Sequence, residues 1–143
     1  MPHQFHTKRR VEFVDVDLAG FVHFSRFFIY METAEHEFLQ SLGSSVHSQI
    51  NGKQVGWPRL SSSCEYFRPA KFEDVLDIEV TVVKKGRTSL TYEFRFTLNS
   101  TLIARGMMSS VCCVIDPIRG PRPIRIPVSI ANKIQLPQNP TSE

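Results

Sequence analysis

Residues 12–39, EFVDVDLAGFVHFSRFFIYMETAEHEFL, join an acidic turn to an amphipathic segment. In this segment and just beyond it, apolar residues recur at every third or fourth position, the spacing of one helix face. These positions are Phe24, Phe27, Phe28, Met31, Ala34, Phe38, Leu39 and Leu42. Gly43 predicts the end of the helix, because glycine is common just past a helix terminus. The predicted helix carries five aromatic rings, at Phe24, Phe27, Phe28, Tyr30 and Phe38, which predict that a sheet buries it.

From residue 59 onward the apolar pattern changes to a period of two, which predicts strands with one buried face. The predicted strands are 5–14, 59–68, about 76–82, 90–98 and 101–115. Residues 44–58 are polar and contain glycine and proline, so we expect a loop with at most a short helical turn. The order predicts an α+β domain, in which one long helix lies on a curved antiparallel sheet of about five strands.

The composition indicates one globular domain. The chain has 143 residues, of which 41% are hydrophobic and 22% are charged. Six of its nine prolines lie from Pro117 onward, so we predict a domain over 1–117 and an extended Pro-rich tail over 118–143. No apolar run approaches the roughly 20 residues that a membrane span requires, and no signal peptide is evident. The prediction is a cytoplasmic protein without a membrane partner.

Charge and cysteine usage exclude further classes of protein. The net charge of +3 is modest, which suits an anionic small molecule better than a nucleic acid. Cys64, Cys112 and Cys113 lack the spacing of metal ligands, and their odd number does not suit a disulfide framework. We predict reduced packing residues, no metal and no cofactor.

Two motifs resemble a known family. D-V-D-L-A-G-F-V-H-F at 15–24 precedes the predicted helix, and Tyr66-x-Arg68-Pro69-Ala70 is followed by Asp74-Val75-Leu76. Together they resemble the hot-dog fold acyl-CoA thioesterases of the 4-hydroxybenzoyl-CoA type over residues 5–117. The resemblance implies a sheet wrapped around one central helix and hydrolysis of a small aromatic acyl-CoA. It also implies a homotetramer, built as a dimer of dimers, with active sites at subunit interfaces.

The resemblance implies that Asp17 is the catalytic carboxylate. Thioester hydrolysis needs an attacking oxygen and donors for the developing oxyanion, and the start of a helix offers backbone N–H groups. Gly20 allows close approach, and the amides of residues 22–24 are the predicted donors. Asp17 acts as nucleophile or as general base, and the sequence leaves both routes open. A helix cap is the alternative for Asp17, but Asp17 lies seven residues before Phe24. For Asp15 we expect a structural role.

Three residues are predicted to bind substrate: Val22, His23 and Trp57, with Phe67 and Met107 as further contributors. Some relatives carry a histidine at the position that corresponds to Phe24, so His23 is one residue out of place. A structural role for His23 stays open. Phe24 at this position disfavours a mechanism that uses a histidine. It favours a resemblance to family members that hydrolyse aromatic acyl-CoAs, including 1,4-dihydroxy-2-naphthoyl-CoA.

Glu32 and Glu35 are the alternative catalytic carboxylates, because another branch of hot-dog thioesterases places a catalytic glutamate on this helix. Glu32 and His36 share a helix face, yet no further ligand at metal spacing follows. A solvated or interface pair is therefore favoured over a metal site.

A basic turn between two predicted strands is predicted to bind the phosphates of CoA, as the comparable turn of the family does. It consists of Lys84, Lys85, Arg87, Thr88 and Ser89. A merely solvated turn is the equally weighted alternative. Three other functions remain open: a hot-dog dehydratase or hydratase, a non-catalytic acyl-CoA-binding or regulatory module, and a thioesterase for acyl carrier protein. The absence of a suitably placed histidine on the helix disfavours the first.

Overall fold

A computed structural model of the chain describes residues 4–137. In chain order its strands are β1 Gln4–Arg10, β2 His47–Ile50, β3 Lys53–Gly56, β4 Arg59–Tyr66, β5 Val75–Lys85, β6 Ser89–Leu98, β7 Thr101–Val111, β8 Cys113–Asp116 and β9 Gly120–Pro123. Its helices are α1 Arg26–Ser41 and α2 Val128–Ala131, and a short 3-10 helix spans Phe13–Asp15.

The main sheet is antiparallel, with the strand order β1-β5-β6-β7-β4. The alternation that predicted β6 is confirmed, because every second residue of β6 is buried from Leu90 to Phe96. Those side chains pack with the apolar face of α1 in one hydrophobic core. An α+β arrangement of one long helix on an antiparallel sheet is therefore present.

Helix α1 packs closely against strand β7 of the main sheet. Gly106 of β7 lies beneath Met31, and a Cβ atom at Gly106 would overlap the sulfur of that methionine. Met31 is fully buried. Glycine at this position therefore lets the helix approach the strand.

The prediction of a single sheet was wrong. Residues 44–58, predicted as a loop, contain β2 and β3, which pair with β8 and β9 in a second sheet of order β2-β3-β8-β9. The strands of this sheet have four residues each, and β9 has the sequence GPRP. Short polar strands and prolines carry little of the period-two signal.

The bounds of several predicted elements also differ, and the predicted strand 101–115 is divided into β7 and β8, which belong to different sheets. The first strand ends at Arg10 rather than residue 14, because residues 13–15 of the predicted strand form the 3-10 helix. Helix α1 begins at Arg26. Phe24 therefore lies before the helix rather than on its buried face, and 62% of its surface is exposed.

The Pro-rich segment from residue 118 has more structure than the predicted extended tail. Its described part, up to residue 137, contains β9 and α2, and Ile126 and Ile134 are buried in the core. Lys85 Nζ donates hydrogen bonds of 3.0 Å to the carbonyls of Ala131 and Ile134. Residues 138–143 of the predicted tail lie outside the described part.

Candidate active site

Asp17 begins a tight turn between the 3-10 helix and α1. Its amide donates to the carbonyl of Phe21 at 2.8 Å, and Val16 and Val22 form an antiparallel bridge around the turn. Asp17 Oδ1 accepts hydrogen bonds from the amides of Ala19 at 2.9 Å and Phe21 at 3.3 Å. These bonds hold the carboxylate in place. The second oxygen, Oδ2, accepts no hydrogen bond from residues 4–137.

The helix-cap alternative for Asp17 is wrong. The N-cap residue of α1 is Ser25, whose side chain makes no capping hydrogen bond. Asp17 instead stabilises its own turn and keeps an exposed side chain. An exposed carboxylate with one free oxygen is available to a ligand.

Gly20 closes this turn. Its amide donates to the Asp17 carbonyl at 3.0 Å, and its φ is +85°. L-residues other than glycine rarely adopt such a φ. A Cβ atom at Gly20 would meet no atom within 4 Å. The backbone conformation therefore requires glycine at this position, and the close approach of substrate at Gly20 stays a prediction.

Asp15 anchors the turn to the core. Its carboxylate is 2% exposed, and Oδ2 accepts hydrogen bonds of 2.9 Å from the Glu12 amide and the Tyr30 hydroxyl. Arg26 Nε lies 3.8 Å from Oδ1. Burial, followed by the hydrogen bond to Asp15, raises the pKa of Tyr30, so its hydroxyl stays protonated. The expected structural role of Asp15 agrees with these contacts.

Two concave regions meet at Asp17. A cavity of about 390 Å³, which we call the aromatic cavity, has aromatic side chains at half of its lining positions. Its lining includes Asp17, Phe21, Phe24, Phe27, Tyr66 and Phe67. The second region, which we call the apolar groove, measures about 630 Å³. It is lined by Phe13, Val16, Asp17, Leu18, Gly20 and Phe72. The free carboxylate thus lies between two surfaces suited to an apolar ligand.

The predicted oxyanion donors are only partly available. The Val22 amide donates to the Ala70 carbonyl at 2.9 Å, and the His23 amide donates to the Asp15 carbonyl at 2.8 Å. Both amides are therefore occupied, and their prediction as donors was wrong. The Phe24 amide has no hydrogen-bond acceptor within the described chain. It is the remaining donor of the predicted three.

The residues around Phe24 are split between the cavity and solvent. Val22 lines the aromatic cavity, as does Phe24. His23 is exposed, stacks on Phe24 with a centroid distance of 4.6 Å, and places Nδ1 2.7 Å from Ser25 Oγ. His23 lines neither the aromatic cavity nor the apolar groove.

Of the other predicted substrate contacts, Phe67 lines the aromatic cavity. Trp57 is 4% exposed and belongs to the core. Neither Trp57 nor Met107 lines the regions described at Asp17. Within one chain, the prediction of substrate contact for Trp57 therefore has no support.

Glu35 is buried in a polar cluster inside the core. Its exposed fraction is 0%, Arg59 Nη2 lies 2.6 Å from Oε1, and Ser110 Oγ donates to Oε2 at 3.0 Å. Burial raises the pKa of Glu35 to about 7, although Arg59 and Ser110 act in the opposite direction. The Glu32 carboxylate is exposed and lies 3.8 Å from Arg59. Neither glutamate lines the cavity or groove at Asp17, so we assign no catalytic role to either.

The basic turn contacts the C-terminal segment. The Arg87 carbonyl accepts from the Ile126 amide at 2.8 Å, and the Thr88 carbonyl accepts from the Cys112 amide at 2.7 Å. Lys85 Nζ donates to the carbonyls of Ala131, the last residue of α2, and Ile134. Lys84 and Arg87 are exposed, whereas Thr88 and Ser89 are half-buried. The sequence did not predict that Lys85 would hold the C-terminal segment.

Tyr66 and Arg68 line the aromatic cavity, and the sequence predicted no functional role for either residue. The signal was present, because both belong to the Tyr66-x-Arg68-Pro69-Ala70 motif. Their position next to Asp17 depends on the pairing of β4 with β7, which no local pattern reveals.

Within residues 4–137, no group of three or more His, Cys, Asp or Glu side chains is placed to hold a metal ion. None of the described helices has the length and apolar character of a membrane span.

The chain is similar to a known protein family. The pattern of the Thioesterase superfamily matches residues 19–103, which include Gly20, Phe24 and Tyr66. Asp17 lies just before the matched part.

Individual relatives agree with that match. The 1,4-dihydroxy-2-naphthoyl-CoA hydrolase of Prochlorococcus marinus is 29% identical over 118 residues, covering 78% of this chain and 75% of that protein. The acyl-CoA thioester hydrolase YbgC of Escherichia coli is 27% identical over 122 residues, covering 85% and 88%. The solved structure of BH1999 gentisyl-coenzyme A thioesterase aligns with a TM-score of 0.79 at 27% identity. That alignment covers 92% of this chain and 100% of the other.

Proposed function

The chain belongs to the thioesterase superfamily and hydrolyses acyl-CoA thioesters, and on that premise we propose that Asp17 is the catalytic carboxylate for a small aromatic acyl-CoA. One observation carries the proposal. Asp17 is held by two backbone amides, keeps one carboxylate oxygen free of hydrogen bonds from the described residues, and lines both the aromatic cavity and the apolar groove.

The free oxygen supports either of two routes. As a nucleophile it attacks the thioester carbonyl, the C–S bond breaks, CoA leaves as a thiolate, and water then cleaves the mixed anhydride. As a general base it removes a proton from water while that water attacks the same carbon. Both routes give the free acid and CoA.

The oxyanion is proposed to form next to the Phe24 amide. This N–H has no acceptor within residues 4–137, and Phe24 lines the same cavity as Asp17. The N-terminus of α1 begins two residues later at Arg26, and its dipole favours negative charge nearby. A single positioned donor of this kind typically contributes about 100- to 1,000-fold in rate.

The lining of the cavity favours an aromatic acyl group. Rings of Phe21, Phe24, Phe27 and Tyr66 line the space, and aromatic pairs gain about 0.5–1.5 kcal/mol beyond the area that they bury. Two of the compared proteins are named for aromatic acyl-CoAs. Arg68 adds a cation at the cavity, which suits an anionic or hydroxylated substrate.

For CoA, the proposed contact remains the basic turn. Lys84 and Arg87 are exposed, and their charges suit phosphate groups. Thr88 and Ser89 add hydroxyl groups, while Lys85 supports the C-terminal segment. A Lys84→Ala/Arg87→Ala variant is expected to raise KM for the CoA thioester several-fold and to leave KM for the pantetheine thioester unchanged. Lys53→Ala, on an exposed strand residue, is the control, and an equal rise with both substrates would contradict the contact.

We further propose a homotetramer, a dimer of dimers with active sites at its interfaces. Strand β4 is an edge of the main sheet, and all its residues except Cys64 are exposed. Leu60 and Phe67 leave 65% and 51% of their surfaces exposed on and just after this strand. Sedimentation equilibrium tests this assembly, and a monomer would contradict it. The cytoplasmic location stays a prediction of the sequence.

A substrate panel tests the proposed function. Release of free thiol is followed for aromatic, short-chain and long-chain acyl-CoAs, and for the same acyl groups on acyl carrier protein. We expect the highest kcat/KM with an aromatic acyl-CoA. An aliphatic preference would contradict the substrate class, and turnover on carrier protein alone would contradict CoA as the thiol. Binding without turnover across the panel would identify a regulatory module instead.

A further inference from the structure

Tyr66 connects the edge strand β4 to the segment just before α1. Its hydroxyl donates a hydrogen bond of 3.0 Å to the Phe24 carbonyl, a residue 42 positions away in the chain. Both residues line the aromatic cavity with Asp17. The bond therefore joins two walls of the site that the sequence separates.

The Phe24 carbonyl is available to Tyr66 because the described residues of α1 donate no backbone hydrogen bond to it. In an α-helix the amide of Phe28 would donate to this carbonyl. That amide donates instead to the Ser25 carbonyl at 3.3 Å. An exposed residue outside the helix thus relies on a side chain from another strand to fix its carbonyl.

The same residue carries the amide that faces no protein acceptor. The Phe24 N–H shares a planar peptide with the His23 carbonyl, which accepts from the Arg26 amide at 2.9 Å. The next peptide is held by Tyr66 at the Phe24 carbonyl and by the Ser25 amide, which donates to His23 Nδ1 at 3.3 Å. Phe24 is therefore restrained on both sides, and Tyr66 supplies the restraint that comes from the main sheet.

Tyr66 is itself firmly supported. It pairs with Ala104 in β7, and the next two amides, of Phe67 and Arg68, both donate to the Ile103 carbonyl. Its ring packs edge-on against Phe27 with a centroid distance of 5.5 Å. Partial burial, followed by the nearby Cys64 thiol, raises the pKa of Tyr66 to about 12, so the hydroxyl remains a donor at neutral pH.

We propose that Tyr66 is a positioning residue for thioester hydrolysis, because its hydrogen bond to the Phe24 carbonyl holds Phe24 at the position from which its amide meets the oxyanion. The inference rests on the proposed function, in which this amide is the oxyanion donor. Tyr66 acts through Phe24 and takes part in no covalent step of the reaction. Its effect is therefore on the rate of the chemical step rather than on substrate affinity.

Tyr66→Phe tests this role, because it removes the hydroxyl and keeps the ring against Phe27. Tyr92→Phe is the matched control, since the Tyr92 hydroxyl is buried with no hydrogen-bond partner in the described chain. For Tyr66→Phe we expect kcat to fall about 10- to 100-fold, because small misplacements of catalytic groups carry costs of this size. KM and Tm are expected to stay near wild type, and Tyr92→Phe is expected to keep wild-type kcat.

Each outcome decides the inference. A wild-type kcat in Tyr66→Phe would overturn it while leaving the proposed function intact. A raised KM with unchanged kcat would also overturn it, because the hydroxyl would then contact substrate. A wild-type protein that hydrolyses none of the acyl-CoAs would overturn both the proposed function and this inference.

Discussion

The Tyr30 hydroxyl donates a 2.9 Å hydrogen bond to the buried carboxylate of Asp15, which ties the Asp17 turn to the central helix. Asp15 and Asp17 are two residues apart, yet one carboxylate is in the core and the other is exposed. The acidic pair therefore combines an anchor with an available carboxylate.

Asp15→Ala is expected to lower stability more than Asp17→Ala does. Asp15→Ala removes the carboxylate that accepts from the Tyr30 hydroxyl and the Glu12 amide and that pairs with Arg26. The loss of these buried contacts is expected to cost about 2–4 kcal/mol in total. Asp17→Ala removes only two exposed bonds to backbone amides, a loss of about 1 kcal/mol. Urea denaturation of the two variants measures both, and equal losses would contradict the anchoring role.

Gly106→Ala is expected to destabilise the fold by about 1–3 kcal/mol, because an added methyl group overlaps the buried Met31 side chain. Met31→Ala in the same chain opens space for that methyl group. The double variant should therefore lose less than the sum of the two single losses. Additive losses in thermal or urea denaturation would show that Gly106 and Met31 are not in contact.

Glu35 is expected to make stability depend on pH. Burial raises its pKa from 4.5 to about 7 in the folded state, so folding favours the protonated form. This contribution is fully present below about pH 4.5 and is lost as pH rises through about pH 7. It amounts to about 3 kcal/mol, because one pKa unit corresponds to about 1.4 kcal/mol.

Glu35→Gln removes this titration. Its free energy of unfolding should fall less than that of wild type between about pH 5 and about pH 8. Glu32→Gln is the control, since Glu32 lies near the same Arg59 but is exposed. If Glu35→Gln and wild type show parallel pH profiles, the assigned pKa is contradicted.

The sequence predicted the parts of the fold that have strong local patterns. The apolar spacing of Phe27, Met31, Ala34 and Phe38 identified α1, and the alternation from Leu90 to Phe96 identified β6. The second sheet was missed because its four-residue strands are held by pairing between distant segments, such as Val55 with Val114.

The site was predicted to a similar extent. The resemblance indicated Asp17, and the structure places it beside the aromatic cavity. The Val22 amide donates to Ala70, which lies in the segment after β4, and the His23 amide donates to Asp15. Neither contact is visible in the local sequence, so the number of free donors was overestimated. The burial of Glu35 likewise depends on Arg59 and Ser110, which other strands supply.

The most direct test of the central claim is steady-state hydrolysis of an aromatic acyl-CoA by wild type and Asp17→Asn. Asp77→Asn is the matched control, because Asp77 is exposed on the main sheet and forms a surface ion pair of 3.4 Å with Lys8. We expect Asp17→Asn to retain its fold and to lose roughly 100- to 10,000-fold in kcat, while Asp77→Asn keeps wild-type activity. A folded Asp17→Asn with the kcat of wild type would contradict Asp17 as the catalytic carboxylate.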